Sequence, residues 1–437
     1  MGSQTLPVYK DYLDTNLEWL DQIPKGWSLK KLKNFSSLKA RVGFHGLSSS
    51  DFIDSGVYCV TGTDFRLGSV DFNSCYFVSE KWYEMDKNIQ LQNGDVLITK
   101  DGTIGKTAMV EGLTQQATLN SGVFVLRPSI VSKYLYWLLN SRVFVDQVDI
   151  ISRGSTINHL YERDFKDFVF PVPSESEQLQ IVDFLDSRVE AVDSVVELKE
   201  KQIELLKERK QIIIQQAVTQ GLNPDVPMKN SNVDWTEQIP EHWQMKRVKN
   251  IFKMVMEAAG KNNSHELLSV YSDIGVKPRK ELEERGNKAS STDGYWMVKS
   301  GDIIVNKLLA WMGAIGLSEY DGVTSPAYDI LRPRIEVDGY FYHLLFRAKF
   351  FSAELKRHSR GIMDMRLRLY FDKFGVLEVP YPPIEEQREI VKFVKRELSL
   401  VDDGISLFEQ QINKLKEYKT TLINSAVTGK IKVTEQV

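Results

Sequence analysis

Residues 16–34 read NLEWLDQIPKGWSLKKLKN, and residues 232–250 read NVDWTEQIPEHWQMKRVKN. At a constant offset of 216 they share Trp19/Trp235, Trp27/Trp243, Pro24/Pro240 and six further identities, from Asn16/Asn232 to Asn34/Asn250. The ends of the halves repeat as well. FPVPSESEQLQIVDFL, from Phe170, parallels VPYPPIEEQREIVKFV, from Val379, at an offset of 209, pairing Pro171/Pro380, Glu177/Glu386 and Gln178/Gln387. An internal repeat of this length decides the architecture before any local feature does. The chain is two copies of one scaffold. Between the matching ends similarity is thin: Gly94-Asp95 pairs with Gly301-Asp302, and Leu-Arg-Pro occurs at 126–128 and 331–333. Constant ends frame divergent middles.

Each copy closes with a long stretch free of proline. Apolar residues recur there with the alternating 4-3 spacing of a two-helix seam. The first seam runs from Ile181 to Ala217 through Val196, Ile203, Leu206 and Ile213. The second, 209 residues on, runs from Ile390 to Ala426 through Ile405, Phe408, Ile412, Leu415 and Leu422. Ser174 and Glu177 have the spacing of a capping box at the first start, while Gly221 and Gly429 supply stops. A helix over 175–219 would be about 65 Å long. Its obvious mate is the second helix, and an antiparallel pair places one globular part at each end. The remaining segments carry short strand-like runs such as GVYCVTG, GDVLITK, GVFVLRP and GDIIVNK, with helical KYLYWLLNSRVFVDQV and GYFYHLLFRAKFFSAEL. The expected class is therefore α+β with mostly antiparallel sheets. The expected domains are 1–174, a helix over 175–222, 223–383, and a second helix with a tail over 384–437.

The search for chemistry turns first to Gly102-Thr-Ile-Gly105-Lys106-Thr107, which ends like a Walker A loop. That motif needs a glycine five residues before its Gly-Lys, and Lys100 stands there. In the second half Gly313 and Gly316 are read as matching Gly102 and Gly105, without the lysine. A tight turn, not a phosphate loop, is what repeats. No Asn/Asp-Pro-Pro-aromatic element fits an adenine methyltransferase. The six histidines have no metal spacing, and His159 and His358 read as surface or turn residues rather than catalysts. Cys59 and Cys75 read as free thiols of a reducing compartment. Basic and polar residues do gather in loop-like places, where they suit phosphate and base-edge contacts. They are Arg66, Lys100, Thr103, Lys106, Arg153, Ser155 and Asn158 in the first half. In the second they are Lys307, Arg357, Arg360, Arg366 and Arg368.

The order of these motifs resembles the specificity subunits of Type I restriction–modification systems. The resemblance rests on IPKGWSLKKLKNF and IPEHWQMKRVKNIF, GDVLITKDGTIGKTAMV and GDIIVNKLLAWMGAIGL, TSPAYDILRP, RGSTINHL and the two proline-led helix entries. It covers nearly the whole chain. It implies two target recognition domains, each reading half of an asymmetric split site in double-stranded DNA. It implies an antiparallel coiled coil that sets the gap and docks two methyltransferase subunits. Catalysis would lie in those partners and in added restriction subunits, which would carry S-adenosylmethionine, ATP and Mg; this chain would bind no cofactor. Net charge is only −3, which counts against a DNA binder by bulk charge and fits this reading least well; partners that share the grip on DNA would reconcile the two. No run reaches the ~20 apolar residues of a membrane span, so a cytoplasmic protein is expected. Two alternatives remain, a coiled-coil scaffold without DNA recognition and an enzyme with an unfamiliar site.

Overall fold

The computed structural model describes residues 6–41, 47–152, 159–281, 292–361 and 366–433. The chain forms two compact units, one of residues 1–198 with 410–437 and the other of residues 199–409. The division runs through both long helices, Glu175–Gln220 and Ile384–Val427.

In the first unit, among the described residues, the main sheet has the order Ser36–Ala40, Val123–Pro128, Val96–Thr99, Thr107–Met109, Ser69–Val70, Phe65–Arg66. Neighbours are antiparallel except where Met109 lies opposite Ser69 in a parallel pair. The run Val96-Leu97-Ile98 is apolar without alternation because both of its faces are covered. Val96 and Ile98 join the core under the helices Ser132–Leu139 and Arg142–Ser152, while Leu97 joins a second core with Val60, Ala108 and Val125.

The second unit repeats the plan with the order Phe252–Val255, Tyr328–Pro333, Ile303–Asn306, Ile315–Leu317, all antiparallel. Ile303 and Val305 face the core under Gly339–Arg347 and Lys349–Arg357, and Ile304 faces the other. The expected mostly antiparallel α+β units are what the chain forms.

The repeated motifs build the frame that holds each sheet to its long helix. Gln178 Oε1 accepts from the Val131 amide at 3.0 Å and its Nε2 donates to the Pro173 carbonyl. Gln387 does the same with the Asp338 amide and the Pro382 carbonyl. Buried Tyr134 and Tyr342 donate to the carbonyls of Pro171 and Pro380, each at 3.1 Å. Asn16 and Asn232 are identical because both sit at positive φ, 57° and 62°, at the irregularity of an N-terminal hairpin. Asparagine tolerates that region better than most residues. Glu177 does not act as the expected capping partner of Ser174. Its carboxylate takes the Tyr9 hydroxyl and, at 3.0 Å, the Trp27 indole N–H.

The seam positions lie on the covered side of both helices. None of the residues from Ile181 to Ala217, or from Ile390 to Ala426, named in the seams is exposed, whereas Val195, Leu198, Leu205 and Ile212 on another face are. In the first unit the Lys419 ammonium lies 2.7 Å from the Asp193 carboxylate. In the second, Lys199 sits 5.0 Å over the Phe408 ring and Lys210 lies 2.6 Å from Asp402. Numbers rise on one helix as they fall on the other, so within that unit the helices pass antiparallel.

Candidate nucleic-acid interface

The glycine turn of the first unit joins strands Val96–Thr99 and Thr107–Met109. Thr99 Oγ1 accepts from the Lys106 amide at 3.0 Å and donates to the Thr103 carbonyl, closing the loop on itself. Gly105 has φ +86°, and a Cβ there would lie 2.9 Å from Phe144. Its glycine is demanded by backbone conformation and crowding, which accounts for the motif without a phosphate.

The ladder corrects the pairing of glycines between the copies. Ile98 pairs with Thr107 and Val305 with Ile315; the Thr99 amide donates to the Lys106 carbonyl and the Asn306 amide to that of Ala314. Gly105 is therefore the counterpart of Gly313, φ +89°. Gly316 falls inside a strand opposite Ile304, and Gly102 lies in a part of the loop built differently in the second copy.

A second loop is tied beside this turn in each unit. The Leu160 amide donates to the Lys100 carbonyl and the Leu369 amide to the Lys307 carbonyl, both at 2.8 Å. In the first unit the His159 ring also meets the Asp101 carboxylate. Arg153, Ser155 and Asn158 lie outside the described residues. In the second unit the loop leaves and returns through a bridge between Arg360 and Arg368.

The basic residues divide by what their charges already meet. Lys100 is only 12% exposed, 3.5 Å from Asp101 and over the Phe124 ring. Its counterpart Lys307 is 20% exposed and reaches Asp329 at 3.2 Å and the Pro326 carbonyl at 3.1 Å. Phe124 and Asp329 occupy the same strand position, so these two lysines brace the loops from beneath. Burial pushes the Asp329 carboxyl above the usual range, and Lys307 pulls it the other way. Lys106 donates to the Gly62 carbonyl at 3.0 Å. Arg357 is held by Asp234 and Glu354, and Arg360 by Asp372. His358 meets Glu354 at 3.2 Å. Arg66 remains well exposed with Asp71 at 3.4 Å, Thr103 is exposed, and Arg366 and Arg368 project into solvent.

Two ion pairs that the charge pattern alone did not single out fix the strands under these loops. Arg127 binds Asp95 through Nε and Nη2 at 2.8 and 2.9 Å, and Arg332 binds Asp302 with both contacts at 2.9 Å. Gly-Asp and Leu-Arg-Pro recur in both halves of the sequence, and each supplies one partner. Among the described residues, no group of His, Cys, Asp and Glu is arranged to hold a metal ion, and no helix is long and apolar enough to cross a membrane.

Residues 24–208 and 240–417 each match the Type I restriction modification DNA specificity domain. The chain belongs to that family. Among its relatives is the EcoBI Type I restriction enzyme specificity subunit of Escherichia coli, 23% identical over 432 residues that span 92% of this chain and 85% of the relative. Two solved structures share the fold. One comes from a study of complex assembly and conformational transition of the type I R-M system, with a TM-score of 0.71 and 16% identity over 94% of this chain and 99% of that one. The other is the HsdS subunit from Thermoanaerobacter tengcongensis, with a TM-score of 0.53 and 15% identity over 94% and 98% of the two chains. Family membership supports DNA recognition and not a scaffold without it.

Proposed function

We propose that this chain is the non-catalytic targeting subunit of a Type I restriction–modification complex, its two units each reading one half of an asymmetric, split DNA site. One observation carries this reading. The same strand pair and the same amide-to-carbonyl anchors, Leu160 to Lys100 and Leu369 to Lys307, mount loops of different length and chemistry in the two units. A shared frame with unlike reading loops suits two unlike half-sites.

The long helices set the unread spacer and dock two methyltransferase subunits. Leu198, Leu205 and Ile212 on the first helix, and Leu400, Leu407 and Tyr418 on the second, are exposed outside the seams, where partner helices would cover them. Those partners, with restriction subunits added, supply adenine methylation and DNA cleavage, and hold S-adenosylmethionine, ATP and Mg. The complex works in the cytoplasm, on incoming and resident DNA.

Methylated-base sequencing of DNA from cells expressing this chain with its methyltransferase partner tests the reading. The expected result is a split, asymmetric motif bearing methyladenine. Unmethylated DNA, with the partner shown to be bound, would overturn it.

A further inference from the structure

Leu67 stands out in the first unit because it is fully exposed and has φ +48°. Among the described residues the other non-glycine positions at positive φ are Asn16, Asn232 and Asn262, all of a type that tolerates the left-handed region. A leucine does not, and one in open water gains nothing from burial to offset the strain. Backbone strain at an exposed tip is a reason to look for a ligand.

The local structure is built to hold that tip out. Phe65 pairs with Val70 and Arg66 with Ser69, so Leu67-Gly68 forms a two-residue turn with both φ values positive. Such turns favour Asn-Gly at the centre. Gly68 is forced, since a Cβ there would meet the Tyr136 hydroxyl. The Gly68 carbonyl accepts from the Met109 amide at 2.7 Å, on the strand that leaves the glycine turn. Lys106, from that turn, lies 5.8 Å over the ring of Phe65, which opens the hairpin. The exposed Arg66 guanidinium is next to Leu67. An apolar side chain beside a cation, on a stiff hairpin anchored to a DNA-recognition loop, is the equipment of a base-step wedge.

We propose that Leu67 is such a wedge, pushing its isobutyl group between two stacked base pairs of the half-site read by the first unit. The inference rests on the DNA-recognition reading above. The second unit argues against a contact with a methyltransferase subunit instead. Two like partners would need like contacts on both copies, yet among the described residues the hairpin beside Ile315–Leu317 in the second unit, Leu268–Tyr271 with Gly275–Pro278, turns through three residues, none of them held at positive φ. A strained leucine tip present in one copy suits a half-site that only that copy reads. Wedging also selects flexible pyrimidine–purine steps, so Leu67 would contribute specificity without touching a base edge.

The test uses the full chain assembled with its methyltransferase subunits, and duplexes of the methylated site carrying 2-aminopurine at successive steps of each half-site. Wild type should brighten the probe at one step of one half-site. Leu67→Asn, which suits the turn but removes the apolar group, should abolish the brightening and weaken binding on the order of tenfold; Leu67→Met should retain both. Site-specific binding by wild type without brightening, or undiminished binding by Leu67→Asn, would overturn the wedge and leave the recognition reading standing. Loss of methyltransferase subunits from the Leu67→Asn complex, seen by native mass spectrometry, would reassign the residue to a protein contact. Failure of wild type to select the site at all would remove both readings.

Discussion

Arg332 holds Asp302 through two parallel N–H···O bonds of 2.9 Å, with the carboxylate almost entirely buried. The Lys299 amide adds a third bond to the same carboxylate at 2.8 Å. Removing one member of a buried pair leaves the other without compensation, at a cost of about 3–5 kcal/mol. Arg332→Met, which strands the buried Asp302 carboxylate, should therefore lower the urea midpoint of unfolding sharply, whereas Arg332 without Asp302 would keep Glu257 at 2.8 Å. Asp302→Leu with Arg332→Met should recover much of the loss, because neither charge is then stranded. Equal losses from the single and double variants would contradict the pairing.

That relationship was half legible in the sequence. The repeat put Gly-Asp and Leu-Arg-Pro in both halves, and the 4-3 spacing gave both long helices, because each signal lies within a short window. Contacts across longer separations did not announce themselves. Lys100 and Lys307 read as loop cations, but Phe124 and Asp329, more than twenty residues on, draw them beneath the loops. The counterpart of Gly105 was misplaced because the loops differ in length, and strand pairing rather than glycine spacing identifies Gly313. The Leu67-Gly68 turn lacks the asparagine that would have marked it.

Gly404 interrupts the second long helix at a partly covered position, and a Cβ there would make ordinary contact, 3.6 Å, with Leu206 Cδ1. Glycine in a helix interior costs roughly 0.5–1 kcal/mol relative to alanine. Gly404→Ala should raise the thermal midpoint by a few degrees. A fall would mean that the helix pair needs the slack at this point.

His343 should make the second unit sensitive to acid. It is half-buried, its Nδ1 accepts from the Leu317 amide at 3.1 Å, and desolvation with the nearby Arg347 and Lys395 charges lowers its pKa from 6.5 to about 3. Below pH 6.5 the unfolded chain takes up a proton that the folded chain refuses, so stability is lost as pH falls from 6.5 towards 3. Above that window the residue is neutral in both states. His343→Asn, whose Oδ1 can accept from the same amide, should flatten the fall in thermal midpoint between pH 7.5 and 5.5. An unchanged pH profile would remove His343 as the cause.

The exposed and braced cations of the second unit should behave oppositely. Arg366→Ala with Arg368→Ala should weaken DNA binding by the assembled complex and reduce the slope of log affinity against log salt by about 1 per lost phosphate contact. Thermal stability should hardly change. Lys307→Ala should destabilise the unit first, because it strands the half-buried Asp329 carboxylate. Calorimetry beside salt-titrated binding separates the two, and a stable Lys307→Ala protein with a reduced salt slope would return Lys307 to the DNA surface.

If the helices act as a ruler, the spacer should follow their length while the half-sites do not. Four residues make about one helical turn, or roughly 6 Å of rise. Deleting four from each long helix in its middle, around 199–206 and 405–412, leaves the cores with Ile181–Val189 and Ile390–Val394 untouched. The two half-site sequences should then reappear in methylated-base sequencing with a shorter gap between them. The recognition loops are anchored to their own sheets through Lys100 and Lys307, so nothing in the deletion reaches them. A changed half-site with an unchanged gap would show that the helices tune the reading loops and do not measure the distance between them.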